Sequence, residues 1–239
     1  MRKSLRRRFA LTAWAVSAVA LPAVPLRAQD PFAQPRREMV DQQLRRRGIR
    51  QSELLQAMEV VPRHLFVPER VRPEAYVDEP VPLGPGGDSL LQPYMTALMI
   101  ELLELDGSQK VLEVGTGTGY DAAILSKLAR EVYAIEISPV RGEEARSRLR
   151  ELGFGNVQVR IGDGNQGWPD QAPFDAIILT AAPENVPPRL IEQLKVHGRM
   201  VVAVGGSPFQ QLTLLLKTPE GVQKRKIEPV RMGPMSNER

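Results

Sequence analysis

The sequence predicts an α/β fold: a Rossmann-like, doubly wound and mostly parallel sheet with helices on both faces. Three observations carry that reading. From Lys110 onward, short apolar runs alternate with helical stretches, the pattern of successive βαβ units. A glycine-rich turn in "VLEVGTGTGY" follows the first of these runs and opens a helix. Acids stand at or just beyond the ends of the next two runs, Glu136 and Asp163. At 239 residues and 42% hydrophobic content the chain is long enough for one full core.

Taken in order, residues 1–28 read as an export signal. "MRKSLRRR" is a positive n-region, "FALTAWAVSAVALPAVPL" an apolar stretch, and "LRA" before Gln29 a plausible cleavage point. Arg6-Arg7-Arg8-Phe9 fits a twin-arginine pattern. An uncleaved anchor is the alternative, but Pro22 and Pro25 would break its last turn. The expected destination is the periplasm or the exterior, with the cytoplasm left if the leader does not function. Residues 29–37, with Pro31 and Pro35, are expected to be a flexible lead-in, and 38–239 a single domain.

Glu38 to Arg47 has helical character and stops at Gly48. Ser52 is placed to cap a second helix running to Val60, ended by Pro62. Asp78 to Pro93 is too rich in Pro and Gly for regular structure, and a long loop of this kind in a compact domain is usually functional or disordered. Helical spacing resumes from Tyr94 to Leu105. Strands are then expected at 111–114, 132–137, 157–161, 176–180 and 200–204, with helices at 121–129, 141–152 and 188–194. Runs at 211–217 and 224–229 read as a closing hairpin at one edge.

Charge excludes one class of function. Six of the 32 basic residues lie in residues 1–28, which hold no acid, so 26 remain against 28 acids in the rest. With no basic stripe carrying interleaved aromatics, nucleic-acid binding is not expected. The chain has no cysteine, hence no disulfide framework, and no metal-ligand spacing.

In the glycine turn, Gly115, Gly117 and Gly119 occupy positions one, three and five, whereas the dinucleotide fingerprint wants one, three and six. Glycine allows positive φ and close approach of a ligand, and the helix beginning near Tyr120 offers an electropositive N-terminus. Glu136 lies 23 residues beyond Glu113 at a strand end, where a carboxylate can accept both hydroxyls of a ribose. Asp163 in "GDG" could bond an adenine amino group, or make an ordinary Asp-Gly turn. Three features at the carboxyl ends of successive strands converge on the crevice where open α/β sheets bind ligands.

The order "VLEVGTGTGY … EVYAIEI … GDGNQGWPDQAPFDAIILTAAP … LIEQLKVHGRMVVAVG", with "VPRHLFVPERVRPEAYVDEPVPLG" and "QPYMTALMIELL" upstream, resembles the class I S-adenosylmethionine methyltransferases. Within them it resembles the protein-L-isoaspartate O-methyltransferases, from about Met39 to Met235. The resemblance implies S-adenosyl-L-methionine as cofactor. Gly115, Gly117 and Gly119, with Glu113 behind them, would line its methionine part, Glu136 its ribose, and Asp163 and Gly164 its adenine. Gln92, Pro93, Tyr94 and Met95 would close over it, with Ser236 near a weaker contact. It further implies protein or peptide acceptors bearing L-isoaspartyl or D-aspartyl residues, whose free carboxylate is methylated so that the ester collapses to a succinimide. A monomer is expected.

Such chemistry asks little of side chains. A carboxylate is already ionised at neutral pH, so no general base is needed, and alignment can supply roughly 7–11 kcal/mol of barrier reduction. The two histidines, His64 and His197, are accordingly read as structural and surface residues. Trp168 reads as packing, Pro183 as shaping the rim, and Thr180 as a strand-end hydroxyl.

One segment departs from the family pattern. The usual Gly-Gln-Thr-Ile-Ser-Gln-Pro is here "GDSLLQP", Gly87 to Pro93. Ser89 keeps a hydroxyl at the Thr position, Leu91 replaces the Ser credited with catalysis, and Asp88 replaces Gln. Losing one charge-assisted bond to an acceptor carboxylate would cost about 1.5–3 kcal/mol, roughly 10- to 150-fold, and Asp88 pointing inward would repel an anion. Three readings follow. Ser89 takes over the catalytic contact in a working repair enzyme, the acceptor is a different one, or the chain binds cofactor or a partner protein without turnover.

Overall fold

The structure, a computed structural model, describes residues 30–84, 88–206 and 209–235. The proposed leader and Ser236 lie outside these residues. From Phe32 onward the chain forms one body built on a seven-stranded sheet. Among the described residues no helix is long and apolar enough to cross a membrane.

The strands of the large sheet are β3 (Lys110–Val114), β4 (Glu131–Glu136), β5 (Val157–Ile161), β6 (Phe174–Leu179), β7 (Leu194–Val204), β8 (Gln210–Thr218) and β9 (Gly221–Val230). Their order is β5-β4-β3-β6-β7-β8-β9. The first five pair in parallel, and the last two pairings are antiparallel. The parallel part needs long crossovers; helices α4 (Tyr120–Leu128), α5 (Pro139–Glu151) and α6 (Pro188–Gln193) supply three of the four, and the return from β5 to β6 runs through two 3₁₀ turns, Gly164–Gln166 and Pro169–Gln171. Strand β9 is an edge, and its exposed Lys224, Arg225 and Lys226 discourage pairing with another sheet.

Side-chain alternation divides the sheet between two cores. Val111, Ala134, Ile178 and Val201 face α3 (Pro93–Glu101), α4 and the N-terminal helices. Leu112, Ile135, Ile177 and Val202 face α6 and the turns around Trp168. A period of two along each strand produces this split, and burial on both faces explains why these strands read as nearly continuous apolar runs.

The N-terminal elements differ from the sequence expectation in several places. Residues 33–37, expected to be part of a flexible lead-in, join Glu38 in a helix, α1 (Ala33–Glu38), continuing into a π-helical turn at Met39–Leu44 and a 3₁₀ turn at Arg45–Arg47. Pro35 is tolerated because it falls in the first turn, where N–H groups have no intrahelical partner. The buried Met39, Val40 and Leu44 dock the segment on the core. Gly48 ends it in the left-handed region, φ 103°. Helix α2 (Ser52–Val60) has Gln51 in the cap position, and Ser52 is its first residue rather than its cap. Helix α3 stops at Glu101, short of the expected Leu105, because Glu104 turns to φ 52°. Within the irregular 78–93 stretch, β1 (Val81–Pro82) and β2 (Ser89–Leu90) form a short antiparallel pair. Strand β7 begins six residues earlier than the apolar run indicates, since the largely exposed Lys195–His197 stretch continues it ahead of the buried run.

Candidate active site

Chain order reverses about β3: β4 lies on one side and β6 on the other. That is the topological switch point where the carboxyl ends of parallel strands leave a crevice. Here a cavity of about 380 Å³ opens, walled by the glycine turn after β3, the end of β4, and Thr180 and Ala181 after β6. The loop at 88–91 and the 231–235 segment complete it.

The glycine turn is built for close approach. Gly115 has φ 97°, and a Cβ there would stand 2.6 Å from Thr180 Oγ1. Its N–H donates to the Ile135 carbonyl at 2.9 Å, which ties the turn to β4. Gly164, on the far wall, is packed against Val114 and Met235, so an added Cβ would collide with Val114 Cγ1. Thr116 and Thr118 in the same turn line the crevice, and their hydroxyls are buried with no hydrogen-bond partner in the protein. Buried polar groups left unpaired usually mark a place where a ligand or water supplies the bond.

Glu136 is the best-held side chain of the site, with its residue only 3% exposed. One carboxylate oxygen accepts the Gly117 N–H at 2.8 Å. The other accepts the Ser138 N–H at 3.0 Å and Arg141 Nε at 3.2 Å. Arg141 extends through its other nitrogen to Asp88 on the 88–91 loop. The carboxyl of Asp121, on the crevice floor, accepts from Thr96 Oγ1 at 3.0 Å, and burial pushes its pKa up.

The structure brings Gly115, Gly117, Glu136, Gly164, Ser89 and Leu91 together on the crevice wall. It places the other expected residues elsewhere. Glu113 is fully buried beneath the turn, on the core face of β3. Burial, reinforced by Asp121 and Glu136 nearby and opposed by a backbone hydrogen bond from Ala122, pushes its pKa well up and favours the neutral form. Gly119 caps α4 at φ 89° and packs toward Leu149 rather than toward the crevice. Asp163 turns back on its own chain: its oxygens accept from Asn165 N at 2.9 Å, Asn165 Nδ2 at 2.8 Å and Gln166 Nε2 at 3.2 Å. This is the Asp-Gly turn geometry.

Gln92 and Pro93 start α3, and Met95 is in the core. The Tyr94 ring lies under Arg47, whose guanidinium carbon is 3.4 Å from the ring centroid. None of the four lines the crevice.

His64 is buried, with Nδ1 2.8 Å from the Tyr76 hydroxyl, while His197 sits exposed at φ 67°. Trp168 packs edge-on against Tyr133, and the Thr180 hydroxyl donates to the Val114 and Gly115 carbonyls at the strand end. Sequence reasoning did not single out Arg141, Arg231 or Met232 as crevice residues. Arg141 lies in a helix and Met232 in a tail whose crevice position arises only through the fold. The signal that could have found Arg141 is its place in a helix first turn, where a cation opposes the macrodipole and so needs acidic partners.

Residues 34–239 match the family model described as Protein-L-isoaspartate(D-aspartate) O-methyltransferase (PCMT). A protein-L-isoaspartate O-methyltransferase of Synechococcus sp. (strain JA-2-3B'a(2-13)) is 49% identical over 219 residues, covering 88% of this chain and 89% of that protein. The one of Gloeobacter violaceus is 48% identical over 202 residues, covering 84% and 98%. Among solved structures, a protein-L-isoaspartate O-methyltransferase superposes with TM-score 0.76 at 28% identity, over 84% of this chain and 66% of the other. One from Plasmodium falciparum, in complex with S-adenosyl-L-homocysteine, superposes with TM-score 0.73 at 20% identity, over 84% and 98%, and supports the fold alone. With the family model spanning nearly all of the chain and relatives at this level of identity, the protein belongs to the protein-L-isoaspartate (D-aspartate) O-methyltransferase family.

Proposed function

We propose that the chain transfers a methyl group from S-adenosyl-L-methionine to the free carboxylate of L-isoaspartyl or D-aspartyl residues in damaged proteins. The observation that carries the reading is the braced carboxylate of Glu136 beside the glycine turn, facing the same crevice as the Ser89–Leu91 loop. The residues present fit a nucleoside ligand: a glycine turn at positive φ, two threonine hydroxyls without a partner in the protein, and an acid at the strand end. A cavity of about 380 Å³ is within the range of small-ligand sites.

When bound, S-adenosyl-L-methionine supplies a methyl group on a good leaving group. The chain's own work is binding, orientation and exclusion of water. Glu136 accepts the ribose hydroxyls, the Gly115–Gly117 backbone borders the methionine part, and Gly164 edges the adenine. Ser89 is the hydroxyl that contacts the acceptor carboxylate, since Leu91 beside it has no donor. An acceptor carboxylate needs no deprotonation at neutral pH, so this chemistry does not require a histidine base.

Export through the 1–28 leader is part of the same proposal, resting on its basic start and apolar stretch. Cell fractionation with an intact and a truncated leader tests it, and equal cytoplasmic retention of both would discard it. Activity is tested by labelled methyl transfer to isoaspartyl and normal aspartyl peptides. Base-labile methyl ester on the isoaspartyl peptide alone is expected, and no ester on either would overturn the reading.

A further inference from the structure

The 88–91 loop is tied to the cofactor side of the crevice at both ends. At its start, Asp88 accepts from Arg141, and Arg141 also binds Glu136, with Nε at 3.2 Å and the second terminal nitrogen at 3.2 Å from the same oxygen. At its end, the Leu91 carbonyl accepts from Arg63, a fully buried guanidinium that also donates to the Ala75 carbonyl at 2.6 Å and lies 4.7 Å from the Tyr120 ring centroid. Tyr120 is the first residue of α4, directly after the glycine turn.

Arg141 is out of place by helix electrostatics alone. It is the third residue of α5, whose first turn holds no acid, and its N–H is capped by Ser138 Oγ at 3.4 Å. A cation there opposes the helix dipole, so its position is explained by the two carboxylates it reaches. The crevice wall carries three acids, Asp88, Asp121 and Glu136, against Arg141 and Arg231. Without Arg141, an incoming carboxylate would meet an uncompensated Asp88 beside Ser89.

We propose that Arg141 is a positioning residue for the acceptor loop: by binding Glu136 and Asp88 together it holds Ser89 and Leu91 at the crevice and takes Asp88's charge out of the acceptor's path. The inference rests on the methyltransferase reading above for its kinetic consequence, but not for the clasp itself. The ion pair is partly exposed, with side chains 35% and 56% accessible at Arg141 and Asp88, so its effect is modest: about three- to fivefold per removed partner.

The test uses the full chain as wild type, Asp88→Asn, Arg141→Gln, the double variant and Asp88→Glu. Amide hydrogen exchange across residues 88–91 reads the clasp without any acceptor. Faster exchange in both single variants, not added to in the double, is expected, and unchanged exchange overturns the proposal. With an isoaspartyl peptide, each single variant should raise KM about three- to fivefold, by more than any change in kcat. The double should be no worse than the poorer single, and Asp88→Glu should restore most of the loss. A lower KM in Asp88→Asn would show that Asp88 repels the acceptor and would refute the clasp. Wild-type inactivity with normal exchange behaviour would instead strike the proposed substrate and leave the clasp standing.

Discussion

Replacing Glu136 by Gln is the perturbation with the most legible outcome. The side chains are nearly isosteric, so packing is retained, but the amide keeps one acceptor where the carboxylate has two. In the structure both oxygens are used, one by the Gly117 N–H at 2.8 Å and the other by the Ser138 N–H at 3.0 Å and Arg141 at 3.2 Å. Whichever way the amide is turned, its NH₂ faces a donor. One charge-assisted bond is lost and one N–H left unpaired, which should destabilise the fold by about 1.5–3 kcal/mol. For a domain of this size that lowers Tm by about 3–12 °C.

Ribose hydroxyls seek the same oxygens, so affinity for S-adenosyl-L-homocysteine should fall by a similar free energy, roughly 10- to 150-fold. Calorimetric titration of the variant, alongside its thermal melt, measures both. If the melting point drops while affinity stays within twofold of wild type, Glu136 braces the turn without holding a ribose, and the crevice assignment fails.

Ser89→Ala should lower kcat/KM on an isoaspartyl peptide by about tenfold, whereas Leu91→Ser should change it by less than about threefold while costing roughly 1–2 kcal/mol of stability from lost core packing. A large gain from Leu91→Ser would move the acceptor contact to position 91. Gly164→Ala should destabilise the fold by about 1–3 kcal/mol through its clash with Val114. It should also weaken homocysteine-product binding, and unchanged affinity would remove Gly164 from the adenine edge. Glu113→Gln tests a buried acid. Its carboxyl pKa is raised in the fold, so its contribution is fully present below the unfolded value near 4.5 and is lost as pH rises above it. The Gln variant should therefore gain on wild type in urea-denaturation stability as pH is raised from 5 to 8. A constant difference between the two across that range would show that Glu113 titrates normally.

The sheet was legible from the sequence because parallel strands are buried on both faces and so leave unbroken apolar runs. Ala176–Leu179 and Met200–Ala203 mark themselves that way, and both lie in strands in the structure, whereas Val157–Ile161, at the sheet edge, shows itself by alternating apolar and polar residues. Gly115 was legible because a turn needing positive φ selects glycine, and Glu136 because it ends a strand next to that turn. Local pattern was less informative where partners are distant. Helix α1 buries no residue of its own and runs straight into the turn that docks Met39 and Leu44 on the core, so Pro31 and Pro35 suggested an irregular lead-in instead.

What the amino-acid order determined by itself is the fold class, the turn and the acid that follows it, since each shows as a local pattern: alternating apolar and helical runs, a cluster of glycines, and a carboxylate at the end of an apolar run. What only the tertiary structure decided is which candidates share the crevice. Asp163 spends its oxygens on Asn165 and Gln166, and Gln92 to Met95 are drawn into a helix. Arg141 reaches across 53 positions to Asp88. Side-chain direction is set by the element that carries it and by long-range packing, so chemistry at a site joining residues so far apart in the chain is resolved only when the strands have been brought side by side.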